Sequence, residues 1–225
     1  MQRLLKSALT RVGARCTPAI LHRLDATLTY LHVGRWMRDR GFHVDSRCVL
    51  REDVFAAIAA NVADEKVLYL EFGVFEGESM RFWSRALRNP GSRLHGFDSF
   101  KGLPESWTRG HERGRFSTGG RTPEIDDARV RFFKGWFDET LRTYQPPSHD
   151  RLVINVDSDL YSSADIVLRT LEPLILPGTY LYFDEFHDRH HELRAFEELL
   201  DRMQATFRAV AASSELQHVA FQRIR

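Results

Sequence analysis

The chain is constrained most by short, largely apolar runs of strand length. The first, KVLYLEFG over residues 66–73, is apolar at nearly every position and ends on a glycine. Such a run predicts a strand that is covered on both faces, as in a parallel sheet. Similar runs are RLHGFDSF (93–100), RVRFFKG (129–135), LVINV (152–156) and TYLYFDEF (179–186). Because segments of helical period separate these runs, we predict parallel βαβ units in an α/β, doubly wound sheet.

The two ends of the chain follow different patterns. ATFRAVAAS (205–213) and ELQHVAFQRI (215–224) predict a closing antiparallel pair, which gives a mostly parallel, seven-stranded sheet. Residues 1–64 instead carry apolar residues at helical spacing. One such stripe comprises Ile20, Leu21, Leu24, Leu28 and Leu31. We therefore expect a helical N-terminal extension or cap over 1–64 and one α/β domain over 65–225.

Residues 102–127 form a polar stretch with no sustained period. A loop of this length within a compact domain is uncommon and is usually functional or disordered. We expect it to form a substrate pocket together with the N-terminal helices, and a plain polar surface loop is the alternative. Its candidate substrate contacts are Trp107, Arg109, Arg113 and Phe116.

Composition excludes several classes of protein. A net charge of +1 over 225 residues gives no bulk electrostatic basis for binding nucleic acid. The two cysteines, Cys16 and Cys48, are too few for a disulfide framework and favour a reducing compartment. No uncharged apolar stretch of the sequence is long enough to span a bilayer. We expect a soluble, cytoplasmic protein whose basic start, MQRLLKSALTRVGARC, forms either a solvated helix face or a membrane-surface or targeting element.

Carboxylates collect where the predicted strands end. In a doubly wound sheet, ligands bind beyond the carboxyl ends of the strands, near the point where the strand order reverses. One acid there could cap a helix, whereas acids after four different strands indicate a site. They are Glu71, Asp98, Asp157, Asp159, Asp184 and Glu185.

The loop after the first strand, EFGVFEGES (71–79), predicts a nucleoside cofactor. Gly73 permits a tight turn and Gly77 a close backbone approach, but the G-x-G-x-x-G pattern of dinucleotide sites is absent. The glutamates of this loop would repel a pyrophosphate and favour a cofactor that carries positive charge. Asp98, at the end of the second strand, is placed to accept hydrogen bonds from ribose hydroxyls. Together these features indicate S-adenosylmethionine, with a plain strand–turn–helix connection as the alternative.

The acids after the later strands predict a metal centre. Asp157, Asp184 and Glu185 would meet at the sheet edge, where like charges raise one another's pKa values unless a cation neutralises them. Oxygen ligands suit a hard divalent ion, Mg²⁺ by preference. Such an ion orients an alcohol and stabilises the alkoxide that develops on it.

Asp159 and the histidines that follow Glu185 each have two interpretations. Asp159 is the candidate catalytic base, because it leaves the loop beside the metal ligands, and the alternative is a cap for the following helix. The histidines are His187, His190 and His191. They leave zinc or iron open as the metal, and His191 is a candidate contact to the substrate or to the ligands, with a surface position as the alternative.

Five motifs stand in an order and spacing that resemble class I methyltransferases. They are EFGVFEGES, FDSFKGLPESW, KGWFDETL, NVDSDLYSS and FDEF, and they fall within residues 66–200. The strongest resemblance is to the metal-dependent O-methyltransferases of the macrocin and mycinamicin sugar-methylating type, and a more distant one is to catechol O-methyltransferase. The resemblance implies a Rossmann-like methyltransferase sheet, S-adenosylmethionine as methyl donor, and a hydroxyl of a sugar or natural-product-like small molecule as acceptor.

The resemblance also assigns residues to the cofactor and the metal. Those it places around the methionine and ribose are Glu71, Gly73, Phe75, Gly77, Ser79, Asp98 and Ser99. Gly135 and Trp136 would lie near the adenine, with a core aromatic as the alternative for Trp136. Asp157 would border the cofactor as well as the metal, and Asp159 would act as the base. Where these enzymes have a second aspartate this chain has Glu185, whose longer side chain changes the geometry expected of that ligand.

The sequence thus predicts an S-adenosylmethionine- and Mg²⁺-dependent O-methyltransferase. A metal-dependent hydrolase that uses the acids and histidines is one alternative, and a non-catalytic domain that keeps the fold is another. The identity of the acceptor does not follow from the residues. A homodimer through the N-terminal helices is compatible with the sequence, although no motif requires it.

Overall fold

Helices and strands alternate along the chain, which the computed structural model describes over residues 2–44, 47–107 and 110–225. The helices are α1 (Gln2–Gly13), α2 (Pro18–Asp39), α3 (Arg51–Val62), α4 (Glu78–Ala86), α5 (Phe137–Thr140), α6 (Tyr161–Leu171) and α7 (Glu192–Met203). The strands are β1 (Arg47–Cys48), β2 (Val67–Phe72), β3 (Arg93–Asp98), β4 (Val130–Lys134), β5 (Arg151–Val156), β6 (Tyr180–Phe183), β7 (Phe207–Ser213) and β8 (Val219–Arg223). Short 3₁₀ turns, Leu141–Thr143 and Glu172–Leu174, follow α5 and α6.

The strands form one mixed sheet in the order β1-β7-β8-β6-β5-β2-β3-β4. β8 runs antiparallel to β6 and β7, and the other neighbouring pairs are parallel. The predicted α/β fold is confirmed, but the prediction of seven strands is wrong, because the described residues contain eight. The extra strand is β1, which pairs with β7 through Arg47–Ala212 and Cys48–Ser213. Two residues carry no alternation, so β1 left no recognisable pattern in the sequence.

The strand order fixes the position of the ligand crevice. From β2 the sheet continues through β3 and β4 on one side, and through β5 and β6 on the other. The chain therefore reverses its direction of winding between β2 and β5, and the carboxyl ends of these two strands border the crevice.

The core lies on both faces of the sheet because the side chains of each strand alternate. On β2, Leu68, Leu70 and Phe72 belong to the cluster that α6 and α7 cover. Val67 and Tyr69 point the other way, into the cluster that α3 and α4 cover. Because helices cover both faces of the sheet, both sets of alternating side chains are apolar, and the strand reads as a nearly continuous apolar run in the sequence.

The N-terminal helices contribute unequally to this core. α3 buries Val54, Phe55 and Ile58 against the sheet, whereas α2 is anchored in its second half through Val33 and Met37. α1 has no buried residue. The apolar stripe of α2 is exposed at all five positions, Ile20, Leu21, Leu24, Leu28 and Leu31. The division of the chain at residue 64 stays a prediction. Two elements before that residue belong to the α/β structure, since β1 is a strand of the sheet and α3 packs against β7. Among the described residues, no helix combines the length and apolar character needed to cross a membrane.

We predict that Leu199→Ala lowers the free energy of unfolding by about 2–5 kcal/mol, because the substitution leaves a cavity in a close-packed core. Leu199 is 0% exposed on the buried face of α7. The matched control is Leu176→Ala, at a side chain that is 61% exposed, which should change stability by less than about 0.5 kcal/mol. Urea denaturation followed by circular dichroism measures both, and equal losses in the two variants would contradict this account of the core.

Candidate active site

A cavity of about 390 Å³ lies at the carboxyl ends of β2, β3, β5 and β6. The residues predicted from the sequence that line it are Gly73, Phe75, Gly77, Ser79, Asp98, Asp157, Asp159, Asp184 and Glu185. The predicted residues that lie outside its lining are Glu71, Ser99, Gly135 and Trp136. The acids of several strand ends therefore share one cavity, as expected.

Gly73 closes the junction between β2 and β5. Its φ of +96° lies in the region that favours glycine, and a Cβ at this position would overlap the backbone carbonyl of Asp157. The amide of Gly73 donates to the carbonyl of Phe97 at 3.0 Å, and the amide of Asp157 donates to that of Phe72 at 2.9 Å. The floor of the cavity is thus made of backbone from three strands in close contact.

Asp98 fixes the loop that follows β2. One carboxylate oxygen accepts hydrogen bonds from the amides of Val74 and Phe75, both at 2.9 Å, and the other accepts from Phe100 at 2.6 Å. A carboxylate offers about four lone-pair sites, so three backbone amides leave room for a further donor from the cavity. Asp98 therefore holds the loop in shape in addition to the ribose contact that the sequence predicts.

The loop of residues 102–127 packs against the start of α4 through Pro123. Gly77 starts α4 with a φ of +80°, and a Cβ there would lie 2.9 Å from the side chain of Pro123. The side chain of Ser79 is buried in the lining beside it. The loop has no helix or strand among its described residues. Two backbone hydrogen bonds tie it together, since the amide of Leu103 donates to the carbonyl of Arg115 and the amide of Gly114 donates to the carbonyl of Leu103.

Aromatic rings from this loop line one wall of the cavity. Trp107 lies 5.2 Å from His111 between ring centroids, His111 lies 5.7 Å from Phe116, and Phe116 meets Phe75 at 5.8 Å. The buried indole nitrogen of Trp107 has no hydrogen-bond partner among the described residues. Arg113 is exposed and is absent from the lining. Arg109 lies outside the described residues.

Asp157 and Asp184 share a single guanidinium, which the sequence analysis missed. A terminal nitrogen of Arg51 lies 3.8 Å from a carboxylate oxygen of Asp157 and 3.9 Å from one of Asp184. Arg51 is the first residue of α3, where nothing in the sequence pattern distinguishes it from a solvated helix-start residue. Burial, followed by the charges of Asp184 and Asp159, raises the pKa of the Asp157 carboxyl well above its ordinary value. The single positive charge of Arg51 therefore does not balance the negative charges of both carboxylates.

Asp184 has additional partners that stabilise its charge. The hydroxyl of Tyr182 donates to it at 2.6 Å, and His218 lies 3.1 Å from the same oxygen. Burial raises the pKa of this carboxyl, but the hydrogen bond and charge of His218 oppose burial, and the pKa falls below its ordinary value. Asp184 is thus the acid of the pair that stays ionised.

Glu185 has neighbours of its own outside the group of Asp157, Asp159 and Asp184. One of its oxygens accepts from the side-chain amide of Gln217 at 2.9 Å, and the other lies 3.4 Å from the ring nitrogen of His187. Burial and the charge of Asp184 raise the pKa of Glu185 to about 7. The structure thus places this side chain in the lining but engages both of its oxygens elsewhere.

Glu192 joins the two acidic loops and was not recognised from the sequence. Its side chain is 0% exposed and accepts the amide of Ser158 at 3.2 Å and the amide of Glu185 at 2.9 Å. It therefore connects the loop after β5 to the loop after β6. In the sequence it is one of several acids on a helical segment, and only the structure shows its partners.

Asp159 does not cap α6, so that alternative is wrong. The N-cap is Leu160, with no side-chain cap, and the amide of Tyr161 donates to His191 at 3.1 Å. Asp159 has a φ of +60°, a sparsely populated region for a residue other than glycine, and its side chain lines the cavity. Burial, followed by the charge of Asp184, raises its pKa to about 7. His191 serves as a hydrogen-bond acceptor for the helix start.

The expected metal ligands are not assembled around a common point. Within residues 2–44, 47–107 and 110–225, no three His, Cys, Asp or Glu side chains are grouped so that they could hold a metal ion. His187 instead stacks on Tyr30 at 5.2 Å between ring centroids. His190 lies beside the guanidinium of Arg189. The histidines therefore give no support to zinc or iron.

The fold and the cavity define a class of protein. A sheet whose strand order reverses at a glycine-lined, acidic cavity is the arrangement of Rossmann-like enzymes that bind a nucleoside cofactor. A family model described as a methyltransferase domain matches residues 70–186. The chain belongs to this methyltransferase family, which supports S-adenosylmethionine as its cofactor.

Two curated relatives come from Streptomyces. The chain is 30% identical over 141 residues to the 8-demethyl-8-(2,3-dimethoxy-alpha-L-rhamnosyl)-tetracenomycin-C 4'-O-methyltransferase of Streptomyces olivaceus, over 52% of this chain and 52% of the relative. It is 33% identical over 89 residues to the demethyldecarbamoylnovobiocin O-methyltransferase of Streptomyces niveus, over 37% of this chain and 33% of the relative. The matches therefore span about half or less of the length of these relatives.

A solved structure shows the same fold. The calicheamicin methyltransferase CalS11 superposes with a TM-score of 0.57 and 19% identity, over 76% of each chain. At this identity the likeness concerns the fold. It agrees with the α/β fold described above.

We predict that Glu71→Gln raises the free energy of unfolding increasingly as the pH rises from 5 to 8. Burial is the main cause that raises the pKa of Glu71 to about 8, although Tyr69 donates a hydrogen bond to it at 2.9 Å. The folded state therefore holds this proton more tightly than the unfolded state, and the wild type loses stability as the pH rises through this window. Glutamine has no proton to lose, so the difference between the two proteins should reach a few kcal/mol near the upper end.

Urea denaturation at several pH values measures this difference. The control is Glu124→Gln at an exposed acid of the 102–127 loop, which should follow the wild type at every pH. Parallel stability curves for the wild type and Glu71→Gln would contradict the buried, protonated state of Glu71.

Proposed function

We propose that this chain is an S-adenosylmethionine-dependent O-methyltransferase that methylates a hydroxyl of a sugar or glycosylated natural product with the help of a divalent cation. The observation that carries the proposal is that the loop fixed by Gly73 and Asp98 opens into the same cavity as Asp157, Asp159 and Asp184. A methyl donor at the first group and an acceptor hydroxyl at the second would therefore meet.

The cofactor side of the cavity suits a positively charged nucleoside. Glu76 and Glu78 line it together with Asp98, so the lining carries negative charge near the loop after β2. A sulfonium and an amino group are favoured there by charge, whereas a pyrophosphate is not. Phe75, which is 41% exposed, offers a flat apolar surface beside the same loop.

Asp159 is suited to accept the proton of the acceptor hydroxyl. Its side chain lines the cavity and makes no helix cap, so it is available to the substrate. The preceding Asp157 is held by its backbone against β2, which fixes the position from which Asp159 projects. Methyl transfer needs oxygen, methyl carbon and sulfur in line, so most of the acceleration comes from holding the two substrates in that geometry.

A divalent cation fits the donor chemistry of Asp157 and Asp184, although their side chains are not gathered in ligand geometry. Both are oxygen donors, which Mg²⁺ prefers. Burial, followed by repulsion from Asp184 and Asp159, raises the pKa of Asp157, and a cation would relieve that repulsion. Glu185 lines the same region and is the third candidate. When bound, the ion would supply Lewis-acid stabilisation of the developing alkoxide. The protein itself contributes positive charge there through Arg51, beside both acids, and through His218, beside Asp184.

The aromatic wall and the relatives support the proposed acceptor class. The rings of Trp107 and Phe116 provide apolar faces against which a sugar or aglycone ring can lie, and the indole N–H of Trp107 can donate to an acceptor oxygen. The matched Streptomyces relatives are named as O-methyltransferases of a rhamnosylated tetracenomycin and of a novobiocin precursor. Family membership and the scattered histidines favour this function over a metal-dependent hydrolase.

We predict that Asp159→Asn lowers kcat by about 10²–10⁴-fold, the range that a positioned general base contributes. The affinity for S-adenosylhomocysteine should stay within about threefold of the wild type, which amounts to less than 1 kcal/mol. Isothermal titration measures the affinity, and transfer of a labelled methyl group to a panel of glycosylated phenols and free sugars measures turnover. Asp138→Asn is the matched control, since Asp138 is an exposed acid in the first turn of α5.

Two outcomes would reject parts of the proposal separately. Absence of S-adenosylhomocysteine binding by the wild type would reject the cofactor. Full turnover by Asp159→Asn, with the cofactor bound, would reject Asp159 as the base and leave the cofactor assignment intact.

We predict that Mg²⁺ at about 100 times its Kd raises the Tm by about 5–10 °C relative to EDTA. In Arg51→Gln the same shift should be reached at a lower Mg²⁺ concentration, because the guanidinium no longer competes for Asp157 and Asp184. The control is Arg85→Gln, at an exposed arginine in the last turn of α4, which should respond as the wild type does. An unchanged Tm in Mg²⁺, together with undiminished activity in excess EDTA, would reject the cation.

A further inference from the structure

α1 is an amphipathic helix whose apolar face has no cover among the described residues. Its apolar residues are Leu4, Leu5, Leu9 and Val12, which fall on one face at helical spacing and are 59–79% exposed. The opposite face carries Arg3, Lys6 and Thr10. No residue of this helix is buried.

A helix of this length needs a partner for its apolar face. Isolated helices shorter than about 12–15 residues are marginal in water, and most helices in proteins are stabilised by packing of an amphipathic face. α1 has 12 residues and contributes nothing to either core cluster. A surface outside the described fold must therefore bury this face when the helix is stably formed.

The charge of the segment selects the kind of surface. Residues 2–24 contain five basic residues, namely Arg3, Lys6, Arg11, Arg15 and Arg23, and no Asp or Glu. The rest of the chain carries a net charge of −4, since it holds 27 of the 32 Lys and Arg residues and all 31 Asp and Glu residues. The partner surface is thus apolar in its interior and negatively charged at its boundary, which describes an anionic lipid bilayer.

A second copy of the chain fits this segment less well. In a twofold contact through this face the same patch meets itself, so Arg11, which flanks the face at helical spacing, would find no acid within residues 2–24 of either copy. The first acid in the chain is Asp25, in α2, and it lies 3.7 Å from Arg189.

We propose that α1 is an interfacial helix that binds reversibly to anionic lipid surfaces, with its leucine face in the bilayer and its basic residues at the headgroups. The exposed stripe of α2, from Ile20 to Leu31, adds apolar surface next to it in the chain. α1 has an exposed apolar face with which it can lie in the plane of a bilayer surface. Within the described ranges, no helix is long and apolar enough to span a bilayer. The cavity is formed by other residues, so this proposal stands apart from the catalytic one.

The test is co-sedimentation of the full chain with vesicles of phosphatidylcholine alone and with about 30 mol% phosphatidylglycerol. The wild type should bind the anionic vesicles at least about tenfold more tightly, and raising the salt to about 0.5 M should weaken the binding. The double variant Leu5→Gln/Leu9→Gln should bind at least about tenfold less tightly, because two buried leucines are lost. Glutamine keeps good helix propensity, so the variant changes the face and not the helix.

The matched control is Ser7→Gln/Thr10→Gln, which places the same two residues on the polar face of α1 and should bind as the wild type does. The reversal Arg3→Glu/Lys6→Glu should remove the preference for anionic lipid. Sedimentation velocity without vesicles completes the test. A dimer that Leu5→Gln/Leu9→Gln dissociates, or vesicle binding that is absent or insensitive to this variant, would overturn the proposal.

Discussion

The site depends on one close packing contact, between the backbone of Gly73 and the carbonyl of Asp157. Because there is no room for a Cβ between them, only glycine fits at the point where the carboxyl end of β2 meets that of β5. The loop of Val74 and Phe75 is then fastened by Asp98 from β3, so the contact extends to a third strand. The cavity is a consequence of this packing and of the reversal in strand order.

The second constraint is the balance of charge in the cavity. Asp157, Asp159 and Asp184 face it, and the guanidinium that the first and last of them share lies almost 4 Å from each. Burial makes isolated charges costly, so the group of acids favours protonation, a cation, or both. The protein has met part of this demand through Arg51 and His218 and has left part of it open. An acidic site of this kind favours positively charged ligands and can also pull a proton from a bound hydroxyl.

The sequence predicted the long strands and the acids that follow them, because a strand covered on both faces must be apolar along its length. It did not predict β1, whose two residues pair with a strand more than 160 residues away. Arg51 and Glu192 were missed for the same reason. Each acts through partners that are distant in the chain, and a local pattern carries no record of such partners.

Some residues were placed correctly and given an incomplete role. Asp98 was identified from its position after a strand, but its bonds to three backbone amides depend on how the neighbouring loop folds. The sequence left two roles open for Asp159, the catalytic base and a helix cap. The cap is excluded, because Leu160 is the N-cap residue and the amide of Tyr161 donates to His191. Glu185 reached the cavity, yet one of its oxygens is hydrogen-bonded to Gln217. In each case the position of the residue after a strand could be predicted from the neighbouring sequence, whereas its contacts depend on residues that are distant in the chain.

Glu192 ties the acidic part of the cavity to the core. Its buried carboxylate joins the two acidic loops to the start of α7, and α7 is packed into the core through Phe196 and Leu199. The chemical half of the cavity is therefore built on rigid framework, whereas the aromatic wall belongs to a loop without helix or strand in its described part. Under the proposed function, changes in that loop would alter which acceptor binds without disturbing the acids at the strand ends. A chain built this way can diversify its substrates through insertions and substitutions in one surface segment while its reaction stays the same.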